Sequence, residues 1–454
     1  MSTVAADELT TGDVVDVEVG PIAHGGHCVA RYEGRVLFVR HTVPGERVRA
    51  RITEGGPGDR FLRADAVDVL EASPHRVPSR CPVSGPGGCG GCDFQHVATA
   101  HQRELKGQVV AEQLHRLAGI DRDLTVEALG DADGLGYRTR VEFAVDGPTI
   151  GLRRHRSHEI EPVPGCPIAV PEVDAALADA RAEVVDTPHS LDGIAALDVV
   201  VPSGEDDTVV VEVPVGATPP AIPITEVVPV PSGPMAMGVD ARGFWQVHRD
   251  APRAFVEAVL AAARVAPGER VLDLYCGVGL FSVPLAAATG ESGQLVAVES
   301  DRRAVEHLRD NLADRPWSLV VPGRVDDLLG VPRKGPKGAR GRTRRRAPAR
   351  SDLLPPSADV VVLDPPRTGA GKGVVEALTS LRPRRMVYVA CDPAALARDT
   401  SYLADRGYAL TGLRALDAFP MTHHVECIAV FEPAGPDAPP TRDVAPDVRE
   451  SGQQ

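Results

Sequence analysis

Two sets of residues in this 454-residue chain have the type and spacing for covalent or metal chemistry. Cys391 stands directly after the β-rich run Met386–Ala390 and directly before Asp392 and Pro393. A thiol at the carboxyl end of a strand, facing a helix N-terminus, can have its pKa lowered by amide dipoles, and it sits where open α/β sheets bind ligands. A small thiol is also a common core residue, so position alone gives Cys391 no role. The second set is Cys81-x7-Cys89-x2-Cys92, with glycines packed between the thiols, followed by Cys166 in PVPGCPI. A Gly/Pro loop has little core for three cysteines to join, so ligation is the better reading, and four thiolates suit either zinc or an iron–sulfur cluster. Zinc ribbons favour two Cys-x2-Cys pairs; the three-plus-one spacing here leans toward iron–sulfur.

A third set binds rather than reacts. Asp273-Leu-Tyr-Cys-Gly277-Val-Gly279 follows the apolar run VLDL and opens a helical pattern, and Glu299 ends the next apolar run about twenty residues later. Glycines let the backbone approach a nucleoside cofactor, and the carboxylate takes ribose hydroxyls. The dinucleotide fingerprint requires a third glycine where Ser282 stands. The pattern D-x-x-x-G-x-G with a later acid fits the S-adenosylmethionine loop of methyltransferases better. Asp364-Pro365-Pro366-Arg367 ends a further strand. Enzymes that methylate exocyclic amines place an aromatic residue after the two prolines, so Arg367 disfavours amine chemistry. No Pro-Cys pair stands in this loop or the next, which leaves Cys391 as the candidate nucleophile.

These residues need elements to position them. From about residue 241, strands alternate with helices (VLDL, QLVAVE, ADVVVLD, RRMVYVA, ECIAVF), which predicts a parallel, doubly wound sheet. Residues 10–70 alternate short apolar strands with Gly and Pro turns, which predicts a small β-barrel. Arg31, Arg35, Arg40, Arg47, Arg49 and Arg51 give that barrel a basic character suited to nucleic acid, although solvated strand faces read the same way. Residues 99–119 have the apolar spacing of an amphipathic helix, and 120–240 read as a mainly β unit with basic segments GYRTR and GLRRHRSH. The stretch 333–350 carries nine basic residues in eighteen and no acid; with the Pro/Asp/Ala-rich tail from 433 it is predicted to be disordered.

Composition sets outer bounds. The net charge of −14 argues against a generic nucleic-acid binder but leaves room for local basic patches. No apolar run approaches the roughly 20 residues that span a bilayer, and the N-terminus has no signal-peptide pattern. A cytoplasmic monomer with no membrane partner is expected, and in a reducing compartment eight cysteines suit metal binding or catalysis rather than disulfides.

Taken together, DLYCGVGLFS, LDPPRTGAG, VYVACDPAALARD and FPMTHHVECIAVF resemble, in order and spacing, the successive motifs of the RNA uracil-5-methyltransferase family. The likeness extends over nearly the whole chain to the family's ribosomal branch. It implies a TRAM β-barrel of the oligonucleotide-binding kind at 8–72 and a central iron–sulfur and RNA-binding domain at 73–98 and 120–240. A Rossmann-like methyltransferase domain is implied at 99–119 and 241–432. The resemblance further implies a four-iron four-sulfur cluster on Cys81, Cys89, Cys92 and Cys166, S-adenosylmethionine as methyl donor, and RNA, ribosomal rather than transfer, as substrate. It makes Cys391 the nucleophile that adds to uracil C6, Glu426 the base that takes the C5 proton, and Gln246, Tyr275, Gly277, Gly279, Glu299 and Asp364 the cofactor positions. A non-catalytic RNA-binding factor of the same fold would lack Cys391 or Glu426, and both are present. Four positions depart from the family pattern: Asp392 where Asn is common, Leu280 where a polar contact is frequent, Arg324 with Asp326 just beyond where an acid is expected, and a seven-residue first gap between the cysteines where five is usual.

Overall fold

A computed structural model of the chain describes residues 5–131, 133–187, 189–230, 233–332 and 349–435. The basic stretch expected to be disordered (333–350) falls almost wholly outside these residues, as does the tail beyond 435. The chain divides into two compact units. The first takes residues up to Val109, then Thr125–Ala254 and Leu416–Val425; the second takes Val110–Leu124, Phe255–Ala415 and the chain from Glu426 onward.

In the first unit, β1 (Val14–Ala23), β2 (His27–Tyr32), β3 (Arg35–Arg40), β4 (Arg47–Glu54) and β5 (Phe61–Glu71) close into a barrel in the order β1-β2-β3-β5-β4. Closure follows from the sequence, because strict alternation buries Val15, Val17 and Val19 on β1 and Val48, Ala50 and Ile52 on β4, and turns Asp16 and Glu18 on β1 and Arg47, Arg49 and Arg51 on β4 outward. Helix α1 (Thr99–Ala118) begins in this unit. Its Lys106 is fully buried and donates to Asp417 at 2.6 Å and to the Phe419 carbonyl at 3.0 Å. Gln102 donates to the carbonyls of Phe94 and Val97 and accepts from the Met421 amide at 2.9 Å, so segment 416–425 is held by paired polar groups.

After the short strand β6 (Val126–Ala128), strands β7 (Arg140–Asp146), β8 (Thr149–Arg153), β9 (Ile160–Glu161), β10 (Ile194–Val200) and β11 (Val209–Pro214) form one sheet in the order β11-β10-β7-β8-β9. Helix α2 (Pro171–Asp186) starts with Pro171 at its first turn and packs Val173, Leu177, Ala180 and Val184 onto Phe143 and Leu197. The hairpin β12 (Pro223–Val230) and β13 (Gly233–Asp240) completes the unit.

The second unit is an α/β sheet. Helix α3 (Ala251–Ala263) leads into β14 (Arg270–Leu274), α4 (Ser282–Thr289), β15 (Gln294–Glu299), α5 (Arg302–Asn311), β16 (Ser318–Pro322), α6 (Val325–Leu328) and β17 (Val360–Leu363). Then come α7 (Gly371–Ser380), β18 (Arg385–Ala390), α8 (Pro393–Ala404), β19 (Tyr408–Asp417) and β20 (Glu426–Pro433). The seven strands run β16-β15-β14-β17-β18-β20-β19. Strands β14 to β18 pair parallel, and their near-continuous Val/Leu composition is what burial on both faces requires. The expected parallel, doubly wound sheet is present in β14 to β18, and it continues into β20, which runs antiparallel to β18. Only residues 418–425 separate β19 from β20, too few for the helical crossover that a parallel return needs. Among the described residues no helix is long and apolar enough to cross a membrane.

Candidate functional site

Because β14, β15, β16, β17 and β18 are parallel, the residues that end them emerge at one edge of the sheet. Strand β20 runs the other way, so the residue that begins it emerges at that same edge. Ala390 opposes Cys427 as the last pair of this antiparallel register, so Cys391 and Glu426 each adjoin it in sequence, and Glu426 acts electrostatically on the Cys391 thiol. A candidate nucleophile and a candidate base, 35 positions apart in sequence, are thereby brought together.

The electrostatics of this pair are those of a crowded anionic site. Burial pushes the Cys391 thiol up to about 12, Glu426 and Asp364 add to it, and the Arg367 guanidinium opposes them. Burial also holds the Glu426 carboxyl well above the usual carboxylate range, with Asp364 raising it further and Arg367 again opposing. Asp364 itself is raised to about 7 by burial. The lowered thiol pKa that a helix N-terminus could supply does not appear at Cys391. Asp392 caps α8, its Oδ1 accepting from the Ala395 amide at 2.7 Å, so part of the helix-end charge is met by a carboxylate before the thiol can feel it. This also answers why Asp suits the position after the cysteine. Asp392 followed by Pro393 at the first helical turn is a helix-start signature.

At the same edge of the sheet, the loops after β14, β15, β16 and β17 line a cavity of about 430 Å³. It lies where the strand order reverses around β14, which is where open α/β sheets bind ligands. Tyr275, Glu299, Arg324, Asp326, Pro366, Thr368, Gly369 and Ala370 are among its lining. Two backbone positions show how the glycine loop is built. Gly279 has φ +98°, and a Cβ there would lie 2.7 Å from Leu308 Cδ1, so only glycine lets α5 approach. Tyr275 takes φ +60° without being glycine, a strained conformation of the kind held at ligand sites. Glu299 is fixed by its backbone: its Oε2 accepts from Gly277 N at 2.9 Å and its Oε1 from Asp301 N at 2.7 Å.

Asp273 is fully buried on β14 beneath the loop, with Oδ2 accepting from Ser282 Oγ at 2.5 Å and Oδ1 meeting no partner among the described residues. Burial raises its carboxyl to about 7, the Ser282 hydroxyl working against the shift and Asp364 with it. The two residues that stand where an acid was expected, Arg324 and Asp326, both line the cavity and pair with each other at 3.0 Å. The cavity is of the size and polarity that a nucleoside-type cofactor fills, and Glu299 and Tyr275 offer it polar groups. Gln246 belongs to the first unit, buried in the segment before α3.

The cysteines 81, 89, 92 and 166 all lie in the first unit. Among the described residues no group of three or more His, Cys, Asp or Glu closes on a position that could hold a metal ion. The thiols are neighbours nonetheless. Burial pushes Cys92 up to about 12, and Cys166, Cys89 and Cys81 each raise it further; burial and Cys89 likewise raise Cys166 to about 11. Two sulfurs accept hydrogen bonds, Cys89 from the Gly91 amide at 3.4 Å and Cys92 from the Gln95 side chain at 3.6 Å. A soft donor set with N–H groups aimed at sulfur suits thiolate ligation, of zinc or of an iron–sulfur cluster alike.

Sequence reasoning named Arg367 only to exclude a chemistry, yet its charge bears on both Cys391 and Glu426. It missed Asp399, whose partners lie about thirty residues earlier in the chain.

The model of the tRNA (uracil-5-)-methyltransferase family matches residues 224–433, and that of the TRAM domain matches 8–67. The chain is 44% identical to an uncharacterised RNA methyltransferase of Streptomyces avermitilis, over 93% of this chain and 99% of that one. It is 31% identical to the 23S rRNA (uracil(1939)-C(5))-methyltransferase RlmD of Alkalilimnicola ehrlichii, over 92% of this chain and 96% of the other. Among solved structures it is similar to the Pyrococcus abyssi tRNA (uracil-54, C5)-methyltransferase in complex with S-adenosyl-L-homocysteine. The TM-score is 0.65 and the identity 21%, over 91% of this chain and 99% of that one.

Proposed function

From the premise that the chain belongs to the RNA uracil-5-methyltransferase family and uses S-adenosylmethionine, we propose that it methylates uridine C5 in 23S ribosomal RNA through a covalent Cys391 adduct. The observation that supports this reading is the β18–β20 register, whose last pair, Ala390 and Cys427, adjoins Cys391 and Glu426 at the strand edge that also bears the cavity.

Uracil C5 is a weak nucleophile. Addition of the Cys391 thiolate to C6 moves electron density onto C5 and O4, and the resulting enolate attacks an electrophilic carbon through C5. When bound, S-adenosylmethionine supplies that carbon as its sulfonium methyl group. Glu426 then takes the proton from C5, and the C6–S bond breaks by elimination to release 5-methyluridine and the thiolate. The raised carboxyl of Glu426 suits a group that must accept a proton from carbon and later give it up. Arg367 stands where its positive charge favours both the thiolate and the developing enolate. In the cavity, Glu299 takes the ribose hydroxyls and Tyr275 shapes the cofactor's bed; Gly277, whose amide holds Glu299, and Gly279 build the loop beneath it, and Asp364 and Gln246 are the remaining cofactor positions that the family resemblance implies. The target base leaves its stack to reach Cys391. Ribosomal RNA is favoured over transfer RNA by the relatives named for 23S rRNA and by the barrel together with the four cysteines, which would hold a four-iron four-sulfur cluster.

The test is nucleoside mapping of ribosomal and transfer RNA from cells with and without the gene, alongside variants of the purified enzyme. Loss of one 5-methyluridine from 23S rRNA is expected, with no turnover by Cys391→Ala and a trapped RNA adduct with Glu426→Gln. Full activity of Cys391→Ala would end the covalent mechanism, and loss from transfer RNA alone would move the substrate.

A further inference from the structure

The loop after Asp364 rests on a single carboxylate. Asp399 lies on α8 two turns beyond the cap Asp392, and is fully buried. Its Oδ2 accepts from the amides of Ala370 (2.8 Å) and Gly371 (3.0 Å) and from the Tyr388 hydroxyl (2.8 Å). Its Oδ1 accepts from Arg398 Nε and Nη2 at 3.1 and 2.8 Å, and that Nη2 also donates to the Thr368 carbonyl at 2.7 Å. A carboxylate with five donors has no free acceptor capacity for a substrate. It is not there for bulk stability either, since an apolar side chain would fill such a site at less desolvation cost.

What it holds is specific. Gly369 has φ +74°, and a Cβ there would lie 2.5 Å from Arg398 Nη2 and 2.6 Å from Asp399 Oδ2, so the clamp presses against the loop with no space to spare. The clamped residues include Thr368, Gly369 and Ala370 of the cavity wall, and they adjoin Arg367. The helix that carries the clamp begins two residues after Cys391.

We infer that Asp399 is a positioning residue that sets the cofactor-wall loop 366–371 in register with the nucleophile Cys391, using α8 as the rigid link between them. The inference rests on the function proposed above, with Asp399 touching neither reactant. Its replacement displaces the wall and Arg367 together, and displacements of that order cost rates about 100-fold.

The experiment uses the full-length protein and the variants Asp399→Asn, Gly369→Ala and Tyr388→Phe, with Arg406→Ala as a surface control beyond the end of α8. Asp399→Asn turns an amide N–H toward the donors of the loop or of Tyr388, and Gly369→Ala pushes the same loop from above. Two readouts are taken: the calorimetric Kd for S-adenosylhomocysteine, and the rate of covalent capture of RNA containing 5-fluorouridine in the presence of S-adenosylmethionine. Asp399→Asn and Gly369→Ala are expected to weaken binding about 10-fold and to slow capture about 100-fold, with Tyr388→Phe affected less in both. A lowered melting temperature with both readouts unchanged would make Asp399 a merely structural residue and overturn the inference. Should Asp399→Asn not fold, Gly369→Ala decides in the same way. If the wild-type protein forms no adduct with any RNA, the functional reading fails while the binding measurement still judges the clamp.

Discussion

The coupling between Cys391 and Glu426 can be measured without RNA. In the free protein the two groups oppose each other's ionisation: burial first, then Glu426, holds the thiol near 12. Replacing Glu426 by Gln keeps the volume and removes the charge. For two groups about 5 Å apart, the cross-strand spacing of an antiparallel sheet, in a half-buried site of effective dielectric about 20, the repulsion between two unit charges is about 3 kcal/mol. That is about a 100-fold change in how readily the thiol ionises, so the thiol of the variant is lowered. At a fixed pH below the pKa of either thiol, the thiolate fraction rises about 100-fold, and the lower basicity of the thiolate gives back about a factor of ten in reactivity. Glu426→Gln should therefore react with a disulfide reagent at Cys391 about 10-fold faster than wild type, at a pH alkaline enough to charge the wild-type carboxylate, even though it cannot complete turnover. The site of labelling is read by peptide mass spectrometry, since eight cysteines are present. Arg367→Gln should move the rate the other way, by a smaller factor, because Arg367 is exposed and its field is screened. A Glu426→Gln variant whose Cys391 reacts no faster than wild type would refute the proximity of the two groups.

Two further outcomes follow from the first unit. Protein purified without oxygen should be brown and carry about four irons per chain, and Cys92→Ser should lose both; a colourless protein with stoichiometric zinc would refute the cluster. Lys106→Met should lower stability by about 3–5 kcal/mol in urea unfolding, because Asp417, only 3% exposed, is left as an uncompensated buried charge. An unchanged urea midpoint would show that Asp417 is neutral or hydrated in the folded protein.

How much of the site the sequence discloses depends on the range of the interactions that build it. The glycine loop, Glu299 and the cap at Asp392 are each made by a strand, a turn and a helix adjacent in sequence, so their residue types and spacing carry the signal. The pairing of Cys391 with Glu426 is different in kind. Periodicity marks β18 and β20 as buried strands but cannot give their relative direction, and it is the antiparallel return of β20 that brings its first residues to the end of β18. The same limit applies to the cysteines, where clustering in sequence signals ligation but leaves the geometry of the sulfurs to a fold that spacing does not encode. Asp399 marks the far end of this scale. It stands in an ordinary helical context, where an exposed, solvated Asp is the default reading, and only the approach of Ala370 and Gly371 makes it a clamp. Local chemistry thus names the candidate reactive groups, whereas the contacts of Asp399 become visible only when the sheet brings α8 against the loop after β17.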